Sequence, residues 1–166
     1  FMPTLLSFRD AGGELRGVIG LRGAARQSLY LEQYLGQPVE QAIAAAAGRP
    51  VDRRHVVEVG NLAGANCRTA MRMVAALPAH LLAQEYEWIV FTATSAVRGI
   101  LQGFRAPLVE LARADASRVA SGPDHWGRYA DCLVRERGHW RFAHRRVRTD
   151  GAAPGSSARF RRRPRP

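Results

Sequence analysis

Glu58 and Asn61 stand three residues apart in the apolar run V-V-E-V-G-N-L, a carboxylate and a carboxamide among valines. A glutamate in such a setting either handles protons or is a structural carboxylate paired with a cation. Arg22, closing the run G-V-I-G-L-R, is the candidate partner. Asn61 has a similar choice between orienting a carbonyl and satisfying strand backbone beside a bulge. Thr92, Thr94 and Ser95 follow the apolar run W-I-V-F, at the carboxyl end of a strand, where sheets usually place ligands; Ser95 also suits a helix cap. Arg68 and Arg72, one helical turn apart, would meet phosphates or form a solvated helix face. Glu32 and Gln33 in L-E-Q-Y-L either serve the site or cap the sheet edge. Cys67 lies near a helix start with no histidine placed beside it, so an activated thiol is not expected. The five histidines lack zinc-protease spacing and two cysteines are too few for a structural zinc site, so no metal site is expected.

The elements that must carry these residues follow from turn signals and periodicity. Thr4–Arg9 and Glu14–Leu21 read as a hairpin around Asp10-Ala11-Gly12-Gly13, and Ser28–Leu31 as a third short strand. Pro38 opens a helix through V-E-Q-A-I-A-A-A-A that Gly48 and Pro50 stop. Val56–Leu62 is a strand with a bulge or close approach at Gly60. Asn66 caps a long helix whose apolar face runs through Met73, Val74, Leu77, Leu81 and Leu82, with Pro78 predicted to kink it. Trp88–Phe91 has the unbroken apolar character of a central strand, followed by a short helix carrying Val97, Ile100, Leu101 and Phe104. Pro107–Leu111 reads as the next strand. Tyr129–Arg135 and His139–Arg148 read as a hairpin, and residues 151–166, rich in Gly, Pro, Ser and Arg, as disordered.

With 166 residues, 46% hydrophobic and 23% charged, the chain supports its own core, and no apolar run is long enough to cross a bilayer. The basic residues are all arginine, 25 of them, for a net charge of +11. Residues 135–166 hold eleven of these against only Glu136 and Asp150, so the rest of the chain is nearly neutral. Such an end attracts polyanions without specificity, since neither a recognition helix nor an aromatic stacking platform accompanies it. No secretory signal follows Phe1-Met2-Pro3, and a cytoplasmic location is expected.

Three segments, L-E-Q-Y-L-G-Q-P-V-E (31–40), V-E-V-G-N-L-A (57–63) and W-I-V-F-T-A-T-S-A-V-R (88–98), with Trp126-Gly127-Arg128-Tyr129 further on, together resemble the thermostable hemolysin family. That family is similar to the GNAT acyltransferases and to the acyl-homoserine-lactone (autoinducer) synthases. The implied fold is α/β (α+β): a GNAT-like mixed, mostly antiparallel sheet with helices on both faces, expected to lack an N-terminal helix. Residues 1–129 form the GNAT-like domain, 130–150 a β-hairpin extension that resembles the last hairpin of SnoaL-like proteins, and 151–166 an Arg-rich tail. The strand of Val56–Leu62 should lie beside Trp88–Phe91, with their ends splayed into a groove.

The resemblance implies acyl transfer from a thioester, acyl-CoA or acyl carrier protein, to a small amine-bearing acceptor, without a tightly bound cofactor. It makes Glu58 the candidate base and Asn61 its catalytic neighbour, although Asn61 stands where the synthases carry arginine. Arg22, Glu32, Thr92, Thr94 and Arg98 are implied on the substrate, and Ala63, Arg68 and Arg72 on the donor. The stretch Gly64–Ala70 lacks the glycines of the usual GNAT pyrophosphate turn, which favours a carrier-bound or atypical donor. Two other classes stay open: a membrane-active hemolysin-type protein, and a non-enzymatic polyanion binder acting through the tail.

Overall fold

The computed structural model describes residues 2–103, 107–118, 129–136 and 160–162. Its strands are β1 (Thr4–Arg9), β2 (Leu15–Gly23), β3 (Val56–Gly64), β4 (Trp88–Thr94), β5 (Val109–Arg113), β6 (Tyr129–Glu136) and β7 (Phe160–Arg162). The helices are α1 (Glu32–Leu35), α2 (Val39–Ala47), α3 (Cys67–Leu82) and α4 (Ser95–Gly103). One sheet holds the strands in the order β5-β6-β4-β3-β2-β1-β7. Its pairs are antiparallel apart from β3 and β4, which run parallel.

Alternation along the strands builds a core on each face. Leu6, Phe8, Ile19, Leu21, Val57, Ile89 and Phe91 point toward α3 and α4, meeting Met73, Leu77, Leu81 and Leu101. Val56, Trp88 and Val90 point the other way, toward Tyr34, Val39 and Ile43 on α1 and α2. Burial on both faces explains the unbroken apolar run of β4.

The predicted caps hold at two helices. The Asn66 carboxamide oxygen accepts from Thr69 N at 2.9 Å, closing the first turn of α3. Gly48 takes a left-handed conformation (φ 68°) and donates its N–H to Ala44 O, ending α2. At α4 the cap lies one residue earlier than expected, since the Thr94 hydroxyl accepts from Val97 N and Ser95 is already helical.

Four segments differ from the sequence expectations. Ser28–Leu31 is not a strand, because its N–H groups are taken by carboxylates: Glu32 accepts from Leu29 N, and Glu58 from Tyr30 N and Leu31 N. β5 starts at Val109 rather than Pro107. β6 inserts between β5 and β4, pairing antiparallel with both; its expected hairpin partner, His139–Arg148, lies outside the described residues. Within the segment expected to be disordered, Phe160–Arg162 pair with Leu6–Phe8 on the outer edge of β1.

A candidate acyl-transfer cleft

The cleft originates in how β3 and β4 pair. Val56, Val57 and Glu58 face Trp88, Ile89 and Val90, and there the pairing stops. Yet β3 runs on to Gly64, held by β2, and β4 runs on to Thr94, held by β6. Each strand follows its outer neighbour, so the two diverge and the sheet opens between them. This is the splayed groove that the sequence predicts.

A bulge sharpens the opening. Gly60 pairs with Gly20 and Ala63 with Val18, which leaves Asn61 and Leu62 opposite the single residue Ile19. Asn61 sits at φ 50°, a left-handed conformation that asparagine tolerates better than most residues. The extra residue thus falls at Asn61–Leu62, one position beyond Gly60.

A cavity of about 320 Å³ fills the cleft. Its walls are Val59 to Leu62 of β3, Ile89, Phe91, Thr92 and Thr94 of β4, Val74, Leu77 and Pro78 of α3, and Val97 and Leu101 of α4. The interior is apolar, and the polar groups Asn61, Thr92 and Thr94 belong to the two strands beyond the parting point. Thr92 Oγ1 is buried with no hydrogen-bond partner among the described residues. Thr94 Oγ1 is engaged in capping α4.

Glu58 does not line the cavity. It marks the last pair before the strands part and faces the side of the sheet that carries α1 and α2. It is 2% exposed, and its two oxygens accept from Tyr30 N (2.8 Å) and Leu31 N (2.9 Å), with Arg22 Nη1 at 3.9 Å from Oε2. Burial pushes its pKa up, against the pull of the two N–H donors and of Arg22. The carboxylate therefore fixes the 30–31 backbone over the vertex of the cleft.

The remaining sequence candidates are dispersed. Glu32 belongs to a second network, where Arg53 reaches its two oxygens at 2.6 and 3.0 Å, Glu40 at 2.6 Å and Ala24 O at 2.8 Å. Glu32 also accepts from Val39 N at the start of α2. Burial would raise the Glu32 pKa, but the Arg53 guanidinium and the two backbone donors outweigh it and leave it lowered. Arg53 is itself raised, by its hydrogen bond to Glu32 first. Arg98 lies 3.6 Å from Glu110 on β5. Ala63, Arg68 and Arg72 are exposed at the end of β3 and on the outer side of α3. Sequence reasoning missed Arg53 altogether, and it read Val74, Leu77, Val97 and Leu101 only as apolar helix faces and Pro78 only as a kink, although all five form the cavity wall.

A mixed sheet split between two central parallel strands, with an apolar cavity in the split, defines a GNAT-like fold. TofI, in a ternary complex with an inhibitor and MTA, superposes with a TM-score of 0.56 at 13% identity over 84% of this chain and 67% of TofI. BjaI, a CoA-dependent acyl-homoserine lactone synthase with SAM and isopentyl-CoA, gives 0.54 at 14% over 80% of this chain and 59% of BjaI. FeeM, an N-acyl amino acid synthase from uncultured soil microbes, gives 0.51 at 16% over 84% of this chain and 76% of FeeM. The chain thus spans only part of the length of each of these proteins. No curated protein matches the sequence. The chain belongs to the thermostable hemolysin family, whose model matches residues 1–133. Among the described residues, no helix is long and apolar enough to cross a membrane.

Proposed function

We propose that the protein moves an acyl group from a thioester donor to a small amine-bearing acceptor. The observation that carries this reading is the apolar cavity seated in the parting of β3 and β4. An acyl chain fills such a cavity by shape and burial alone, while its thioester stays at the strand ends, near Asn61, Thr92 and Thr94. Polar groups there meet the carbonyl oxygen on which negative charge develops during attack. The likeness to TofI, BjaI and FeeM supports the reading at the level of fold, and the isopentyl-CoA held by BjaI has the chain and carrier of such a donor without its carbonyl.

The donor is acyl-CoA or an acyl carrier protein thioester. Between Val59 and Gln84 the chain has no carboxylate, and Arg68 and Arg72 stand exposed on α3, so an anionic donor meets no repulsion along this wall. Asn66 already supplies a hydrogen-bond acceptor to the first turn of α3. That leaves fewer N–H groups for a diphosphate and favours a carrier-bound donor. Glu58 acts as the base only once Tyr30 and Leu31 release it; with them in place it positions the loop.

Thiol release from acyl-CoA and acyl carrier protein thioesters of increasing chain length, in the presence of a panel of amines, tests the proposal. Val74→Phe, which fills the cavity, should abolish use of the longer chains before the shorter ones. Absence of amine-dependent thiol release with every donor would reject acyl transfer.

A further inference from the structure

The cavity accounts for the donor and leaves the acceptor without a seat. We propose that the acceptor lies in the trench formed by Gly20 of β2 and Gly60 of β3, which the Met2 side chain fills in this structure. The inference rests on the acyl-transfer reading above.

Gly20 and Gly60 are directly paired across the two strands. Their neighbours Ile19 and Leu21 point into the core under α3, so Gly20 faces the opposite side, the side of Arg22 and Glu58. On that face the paired glycines follow the Arg22–Glu58 pair by one step along the ladder. Two facing glycines leave a strip of sheet without side chains, an arrangement that weakens a strand interior and marks a close approach from outside. The approaching group here is Met2. A Cβ on Gly20 would lie 2.5 Å from Met2 Cγ and 2.6 Å from its Cβ, and one on Gly60 would run into Met2 Cε.

Gly60 also lines the donor cavity. The floor of the trench and the wall of the cavity therefore share a residue at the point where β3 and β4 part. An acceptor in the trench reaches the thioester from the face opposite α3 and α4. Met2 precedes the first ladder residue of β1, so it is held by side-chain packing rather than by strand pairing, and its displacement leaves the sheet intact. The trench holds an unbranched, flexible thioether chain over two paired backbones. It fits a primary amine bearing a slender unbranched apolar or thioether chain and excludes β-branched and aromatic ones.

Two measurements on the 166-residue chain test this. Binding of L-norleucine amide, followed by saturation-transfer NMR titration, needs no turnover. Met2→Ala should tighten it about tenfold, because the trench no longer has to be vacated. Gly20→Ala should weaken it, also in the Met2→Ala background, where the new methyl no longer strains Met2. Kinetics with octanoyl-CoA, or octanoyl acyl carrier protein, should show the same changes in acceptor KM at constant donor KM, and little turnover of L-valine amide or L-phenylalanine amide. Unchanged norleucine amide binding in Met2→Ala and Gly20→Ala, or equal use of the branched and aromatic amides, would overturn the assignment. Acyl transfer without this pattern removes the trench alone; the binding pattern without thioester consumption removes the acyl-transfer reading alone.

Discussion

Replacing Glu58 by glutamine removes one of two oxygens that receive backbone N–H groups and sets an amide N–H₂ against the other donor. A buried donor left unmet costs about 1–3 kcal/mol. Glu58→Gln should therefore lower the melting temperature, by roughly 2–4 °C per kcal/mol in a chain of this size. A protein that kept its full melting temperature and lost only turnover would show that Glu58 works chemically rather than as the anchor of residues 30–31. Buried Glu58 and half-buried Glu32 also give opposite pH responses. Glu58 is raised above its ordinary 4.5, so the folded state holds a proton that the unfolded chain has released, and stability falls as pH climbs from 4.5 through the raised value. Glu32 is lowered, so its contribution is complete above 4.5 and is lost as pH drops through its folded value. Melting temperatures measured from pH 3 to pH 8, on wild type and Glu58→Gln, check both signs: the decline above pH 4.5 should flatten in the variant, while the loss at acid pH should persist.

At the scale of elements, the bulge on β3 is the most specific device. A β-branched residue at φ 50° is strained, so Asn61→Val should cost about 1–2 kcal/mol and close the mouth of the cleft, whereas Asn61→Gly accepts the conformation. Comparing their melting temperatures and acyl-transfer rates separates the two roles of Asn61. If glycine restores stability without activity, the carboxamide itself is used; if valine behaves like wild type, the bulge does not matter. The strand-and-helix order was readable because long apolar runs and caps are local signals: Asn66, Gly48 and W-I-V-F each point to one structure. Ser28–Leu31 was not readable, because the adjacent Glu32 takes the N–H of Leu29 and Glu58, twenty-seven residues away from Leu31, takes those of Tyr30 and Leu31, groups that a strand would pair. The place of β6 was hidden for the same reason. Nothing in Tyr129–Glu136 announces that it enters between β5 and β4. That β3 and β4 lie side by side with splayed ends was expected, but the length of their parallel pairing depends on β2 and β6, and sequence alone does not reveal it.

Over the whole molecule, charge and sheet edges meet at the C-terminal end. Phe160–Arg162 cover the outer edge of β1 through three residue pairs. Removing residues 151–166 should change the melting temperature little, because the strand is short, but should increase self-association through the bared edge. It should also weaken heparin retention at low salt, since Arg159, Arg161, Arg162, Arg163 and Arg165 leave with it. Light scattering and heparin chromatography of the shortened chain read the two effects; a monomer with unchanged retention would contradict both. The short β3–β4 contact has its own consequence for how the molecule breathes. Three residue pairs join two half-sheets that are each stitched internally by antiparallel ladders. Amides of β3 beyond Glu58 that point toward β4, and those of β4 beyond Val90 that point toward β3, have no strand partner across the gap. Deuterium should enter there quickly, as a fast-exchanging seam through the middle of an otherwise slowly exchanging sheet, and an acyl chain lodged between the halves should seal it.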